Sequence, residues 1–139
     1  MMPNLRHLII RHDHLYLSNN RDGYVQKMPL TQFLAAIPAL QASPRKVTTL
    51  TGWQSCKVGI GARTIELSPD GRYIFAACNN SSTLHVVDAA TMTVLTSIPV
   101  DSYPVGLDIS QDGRYVFLTS QGRSDGGGNC VDIYEVTHP

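Results

Sequence analysis

The chain has 139 residues, 42% of them hydrophobic, and its 11 Lys and Arg balance 11 Asp and Glu. Zero net charge provides no basic field for nonspecific nucleic-acid binding, and no run of about 18 apolar residues offers a membrane-spanning helix. Cys56, Cys78 and Cys130 are spaced for neither a disulfide framework nor a zinc motif, and the opening Met1–Ile10 lacks the apolar core and cleavage site of a signal peptide, which leaves the compartment open, including an extracytoplasmic one reached through an upstream segment.

In chain order, Leu8-Ile9-Ile10 predicts a first strand, Leu15–Asn20 a second and Tyr24–Met28 a third. Leu30, Phe33, Leu34 and Ile37 then fall at helical spacing, with Thr31 as N-cap. The spacing predicts one short helix ending near Pro38, within an insert spanning Leu30–Ser43, and a fourth strand at Lys46–Leu50.

A stronger copy of the pattern follows. Ile65 and Leu67, then Tyr73 and Phe75, alternate with other residues at the period of a strand, and Ser68-Pro69-Asp70-Gly71 between them is a turn signal. Further strands are predicted at Thr83–Asp88 and Thr93–Val100. The segment from Ile65 to Ala77 returns as Leu107 to Thr119, about 42 residues on, within the period range of stacked repeats. Asp112-Gly113 keeps the turn, and Val131–Glu135 supplies the third strand of this last copy. Four short antiparallel strands per repeat fit one propeller blade.

The residues Pro104-Val105-Gly106, Ser68 to Tyr73, Asn79 and Val86-Val87-Asp88 resemble the repeat of the YVTN-type β-propeller family. The resemblance covers nearly the whole chain outside the insert. It implies an all-β fold of three consecutive blades: about 4–58, 59–101 and 102–139. The last lacks its outer strand and stops at Val136–Pro139. For activity the resemblance is open, because such propellers include surface proteins, lactonase-like enzymes and oxidoreductase domains.

Three blades do not close a ring. The expected partners are therefore a second copy, forming a homodimer, or the remaining blades of a longer propeller. They would cover Leu8, Ile10 and Leu17 at one end and Val131, Ile133 and Tyr134 at the other.

Candidate site residues lie in loops. Gly122–Asn129 reads as a flexible hairpin tip or as a backbone cradle for an anion, with Arg123 its cation. Arg21, Trp53, Lys57, Tyr103, Arg123 and Asp125 are expected on one rim, suited to a protein or small-molecule ligand. Inter-blade packing is the alternative for Trp53 and Tyr103. His7, His12 and His14 are close in sequence, but no further ligands complete a metal shell. Asp70 and Asp112 are assigned to turn bonding. No nucleophile–base pattern or cofactor motif stands out, so the expectation is a non-catalytic binding or structural scaffold without a cofactor. A fragment of a lactonase-like hydrolase is the alternative.

Overall fold

The computed structural model describes residues 4–137; Met1–Pro3 of the opening segment and His138 and Pro139 of the closing stretch lie outside the described residues. The first sheet holds β1 (Leu5–Arg11), β2 (His14–Asn19), β3 (Tyr24–Pro29) and β4 (Gln54–Lys57) in sequential order. The second holds β5 (Ala62–Leu67), β6 (Tyr73–Cys78), β7 (Thr83–Asp88) and β8 (Thr93–Pro99). The third holds β9 (Pro104–Ile109), β10 (Tyr115–Ser120) and β11 (Cys130–Glu135), with no fourth strand among the described residues. Every pairing is antiparallel. β1 packs on β5 and β5 on β9, so the sheets stand side by side as propeller blades around their first strands.

The strand period decides which residues meet between blades. Tyr16, Val25 and Cys56 of the first blade pack against Ile65, Leu67, Ile74, Ala76 and Val87 of the second. Phe75, Leu84 and Val86, on the opposite face of the second blade, pack with Val116, Leu107 and Tyr134 of the third. Burying side chains of this size is worth about 1.5–3 kcal/mol each. These two layers form the core.

The fourth strand of the first blade is at Gln54–Lys57, not at Lys46–Leu50. Burial explains the difference: pairing Cys56 with Val25 puts its side chain into the inter-blade core, whereas Val47 is 69% exposed. The insert forms two helices, α1 (Leu30–Leu34) and α2 (Ile37–Ala42), rather than one. Pro38 belongs to the first turn of α2 instead of ending a helix, because a first-turn N–H has no intrahelical partner to lose. Pro29, not Thr31, is the N-cap of α1. α1 packs on β2 and β3, and Leu15 and Met28, which face away from the second blade, are fully buried.

The end blades point some of their apolar residues outward and others inward. Leu8, Ile10, Val131 and Ile133 are more than half exposed, while Leu17 is buried. Tyr134 points inward, against the second blade.

Candidate functional site

One face of the blades carries tight turns. In the second blade the Ser68 hydroxyl donates to Asp70 Oδ1 at 2.6 Å, Arg72 N–H donates to the same oxygen at 3.0 Å, and Tyr73 N–H donates to Ser68 Oγ at 2.9 Å. The third blade repeats this with Ser110, Asp112, Arg114 and Tyr115 at 2.6, 3.0 and 2.9 Å. Gly71 and Gly113 take φ +74° and +73°. Both aspartates are thus engaged in turn geometry. The Ser110 hydroxyl, with the Arg114 N–H, holds the Asp112 carboxyl below its ordinary pKa. In the first blade His12 and Asp13 form a two-residue hairpin turn, both at positive φ, and His14 opens β2.

The opposite face is the rim. Arg123 lies over the Tyr103 ring, 4.9 Å from its centroid, and reaches across to the second blade, donating to Asn79 O at 3.3 Å and Asn80 Oδ1 at 3.1 Å. Lys57 sits 4.7 Å from the centroid of Tyr24 and donates to the carbonyl of Asp22. Arg21 is exposed in the β2–β3 loop, and Asp125 is exposed in a turn closed by a bridge between Arg123 and Gly126. Tyr103 and Arg123 therefore meet as one pair, and Lys57 belongs to a second cluster with Tyr24. Trp53 is half-buried just before β4, at the opposite end of that strand from Lys57, so it does not join the rim.

The Gly-rich loop is tied at its base. Asp101 accepts from Ser102 N–H at 2.5 Å, Gly128 N–H at 3.1 Å and the Cys130 thiol at 3.1 Å. These donors, Ser102 N–H foremost, hold the Asp101 carboxyl below its usual range, and the same carboxylate pushes the Cys130 thiol up. The sequence gives no sign of this role for Asp101 beyond a carboxylate between a strand and the Ser-Tyr-Pro of the next blade. Two buried amide atoms near this rim, Asn20 Nδ2 and Asn79 Oδ1, have no hydrogen-bond partner among the described residues.

Nucleophilic chemistry is not set up by the cysteines. Cys78 Sγ lies 3.7 Å from His85 Nδ1, but burial pushes the thiol up to about 11 and holds the imidazole below its usual pKa. The thiol therefore stays protonated and the pair neutral. Among the described residues no three His, Cys, Asp or Glu side chains group as metal ligands, and no helix is long and apolar enough to cross a membrane.

The inner strands line clefts at both ends. At the turn face Arg11, Glu66 and Asp108 border a cleft of about 400 Å³, with Arg11 donating to Glu66 Oε1 at 3.2 Å and Leu67 O at 3.0 Å. At the rim face Arg6, His7 and Arg63 border one of about 390 Å³.

No family model matches the chain. A curated protein, antigen Lp49 of Leptospira interrogans, is 31% identical over 70 residues, covering 40% of this chain and 15% of its own length. Among solved structures, the β-propeller domain of Cps50 (Swd1) from Myceliophteria thermophila aligns with TM-score 0.58 and 12% identity over 80% of this chain and 32% of its own. A protein described as a candidate 6-phosphogluconolactonase from Bacteroides uniformis aligns with TM-score 0.69 and 13% identity over 97% of this chain and 38% of its own. The chain thus spans a minor part of each of these proteins. At these identities the structural likeness establishes the propeller fold.

Proposed function

We propose that the chain is a YVTN-type propeller segment acting as a non-catalytic binding scaffold, its open end faces covered by further blades. Those blades come from a second copy of the chain in isolation, or from a longer polypeptide. The observation that carries this is the contrast between two equivalent faces. The face of the second blade that carries Phe75, Leu84 and Val86 is packed against the third. The corresponding face of the third blade leaves Phe117, Val131 and Ile133 exposed at 37%, 59% and 62%. An apolar sheet face of this kind is an interface. The free edge of β11 offers unpaired backbone groups of the kind that β4 and β8 satisfy in the other blades. The YVTN assignment rests on the repeated Ser-x-Asp-Gly-Arg-Tyr turn and its matching hydrogen bonds in two blades.

The rim is the ligand-facing side of this reading. Tyr103 and Arg123 suit contact with a protein or small molecule. Amide hydrogen exchange along β11 tests the covering of the edge. The amides that point away from β10 are expected to be protected in the assembled protein. Exchange as fast as in an open strand at every concentration would contradict the reading.

A lactonase-like hydrolase is the second reading, favoured by the description of the Bacteroides uniformis neighbour. Turnover of a sugar lactone by the purified chain, lost on replacing Glu66 or Asp108, would replace the scaffold reading with this one.

A further inference from the structure

We propose that the rim-side cleft between the inner strands binds a small tetrahedral oxyanion, of which inorganic phosphate is the simplest. This site is separate from the Tyr103–Arg123 contact and does not depend on it. Three observations converge on it. First, each inner strand is irregular at the same place. The register shifts between Leu5 and Leu8 in the first blade, between Ala62 and Thr64 in the second, and at Val105, between Pro104 and Gly106, in the third. The residues left out of the ladder are Arg6 with His7, Arg63 and Val105. A bulge re-aims a side chain, and here it brings two arginines from neighbouring blades to one cleft of about 390 Å³.

Second, the polar side chains lining this cleft are donors apart from Thr64, whose hydroxyl is already given to Val105 O at 2.6 Å. Neither Arg6 nor Arg63 has a carboxylate partner among the described residues; the ion pairs there are Arg11–Glu66 and Arg114–Glu135. His7 Nδ1 accepts the N–H of Ile65 at 3.1 Å, so the neutral ring carries its proton on Nε2, as a donor. Thr119 Oγ1 accepts from Gly106 N–H at 3.0 Å and keeps its own proton to give. Third, Gly106 lets the Thr119 hydroxyl lie directly against the inner strand: a Cβ there would stand 2.3 Å from Thr119 Oγ1.

Two guanidinium groups able to give two N–H each, with an imidazole N–H and a hydroxyl, arrive from three strands and offer more donors than the roughly four acceptor sites of one carboxylate. They suit the three terminal oxygens of a phosphate. The chain carries zero net charge, which supplies no overall attraction for a long polyanion.

Amide NMR shifts of the full chain, followed during phosphate addition at constant ionic strength, test the assignment. The expected result is saturable shifts at His7, Arg63 and Gly106, with Arg6→Gln and Arg63→Gln each weakening binding about tenfold, one lost charge-assisted bond. If Arg63→Gln fails to keep the wild-type spectrum, Arg6→Gln, at an exposed position, carries the test alone. Shifts matched by sodium chloride, shifts unchanged by the substitutions, or tighter binding of malonate or of a short single-stranded oligonucleotide would each overturn the proposal.

Discussion

The Nδ1 atom of His7 accepts the backbone N–H of Ile65 at 3.1 Å, joining the inner strand of the first blade to that of the second. At the equivalent place in the next pair of blades, the Thr64 hydroxyl donates to Val105 O at 2.6 Å. Gly106 takes this position in the third blade and has no side chain to offer. The blades are therefore held by polar stitches between their first strands as well as by the apolar layers behind them. His7→Ala leaves the Ile65 N–H without its acceptor and is expected to cost about 1–3 kcal/mol. A chemical denaturation midpoint equal to wild type would count against the stitch.

Replacing the turn glycines separates backbone strain from crowding. Gly71→Val and Gly113→Val both force a β-branched residue to positive φ, at about 1–2 kcal/mol or more. At Gly71 the new Cβ also meets the His12 ring at 2.9 Å, while at Gly113 the nearest atom is Pro69 Cδ at 3.3 Å. Thermal unfolding should rank Gly71→Val as the more damaging; the reverse order would show that the first two turns do not pack as described.

The repeat made the strands and the turns legible, because alternation and Asp-Gly are local signals. The fourth strand of the first blade was not legible in the same way. Val47, Thr48 and Thr49 have better strand propensity than Gln54–Lys57, yet the partner face selects Cys56. That preference belongs to the second blade and leaves no mark in the local sequence. Loop topology puts Tyr103 and Arg123 on one rim, where their side chains meet and Arg123 also contacts the second blade. The residue pattern does not reveal the arginines of the rim-side cleft, because Arg6 and Arg63 face it only through bulges, and a bulge shows itself in the pairing rather than in the residue pattern.

Acid should weaken the fold through a small set of carboxylates. Asp88, Asp101 and Asp112 are all held below their ordinary pKa, chiefly by the Thr91 N–H, the Ser102 N–H and the Ser110 hydroxyl respectively. A carboxyl depressed in the folded state takes up its proton first when unfolded. Its contribution is present above the unfolded value of about 3.9 and is lost as pH falls through the lower folded value. The melting temperature is expected to drop below about pH 4, and less steeply in Asp112→Asn. An identical slope in that variant would remove Asp112 from the account.

Thiol reactivity should follow burial and charge. Cys78, raised to about 11, is expected to resist alkylation in the folded chain near neutral pH. Cys130, raised by its bond to Asp101, should react faster in Asp101→Asn. Rapid labelling of native Cys78 would contradict its place in the core.

The native mass tests the central claim, that the open faces of the end blades are mating surfaces. The chain has a mass of 15.2 kDa. Light scattering across a concentration series should give a mass that rises to twice that value, and Ile133→Lys, placing a charge on the exposed face of β11, should return it to the single-chain mass. A stable single-chain mass at high micromolar concentration, for a fold that keeps its native spectrum, would contradict it.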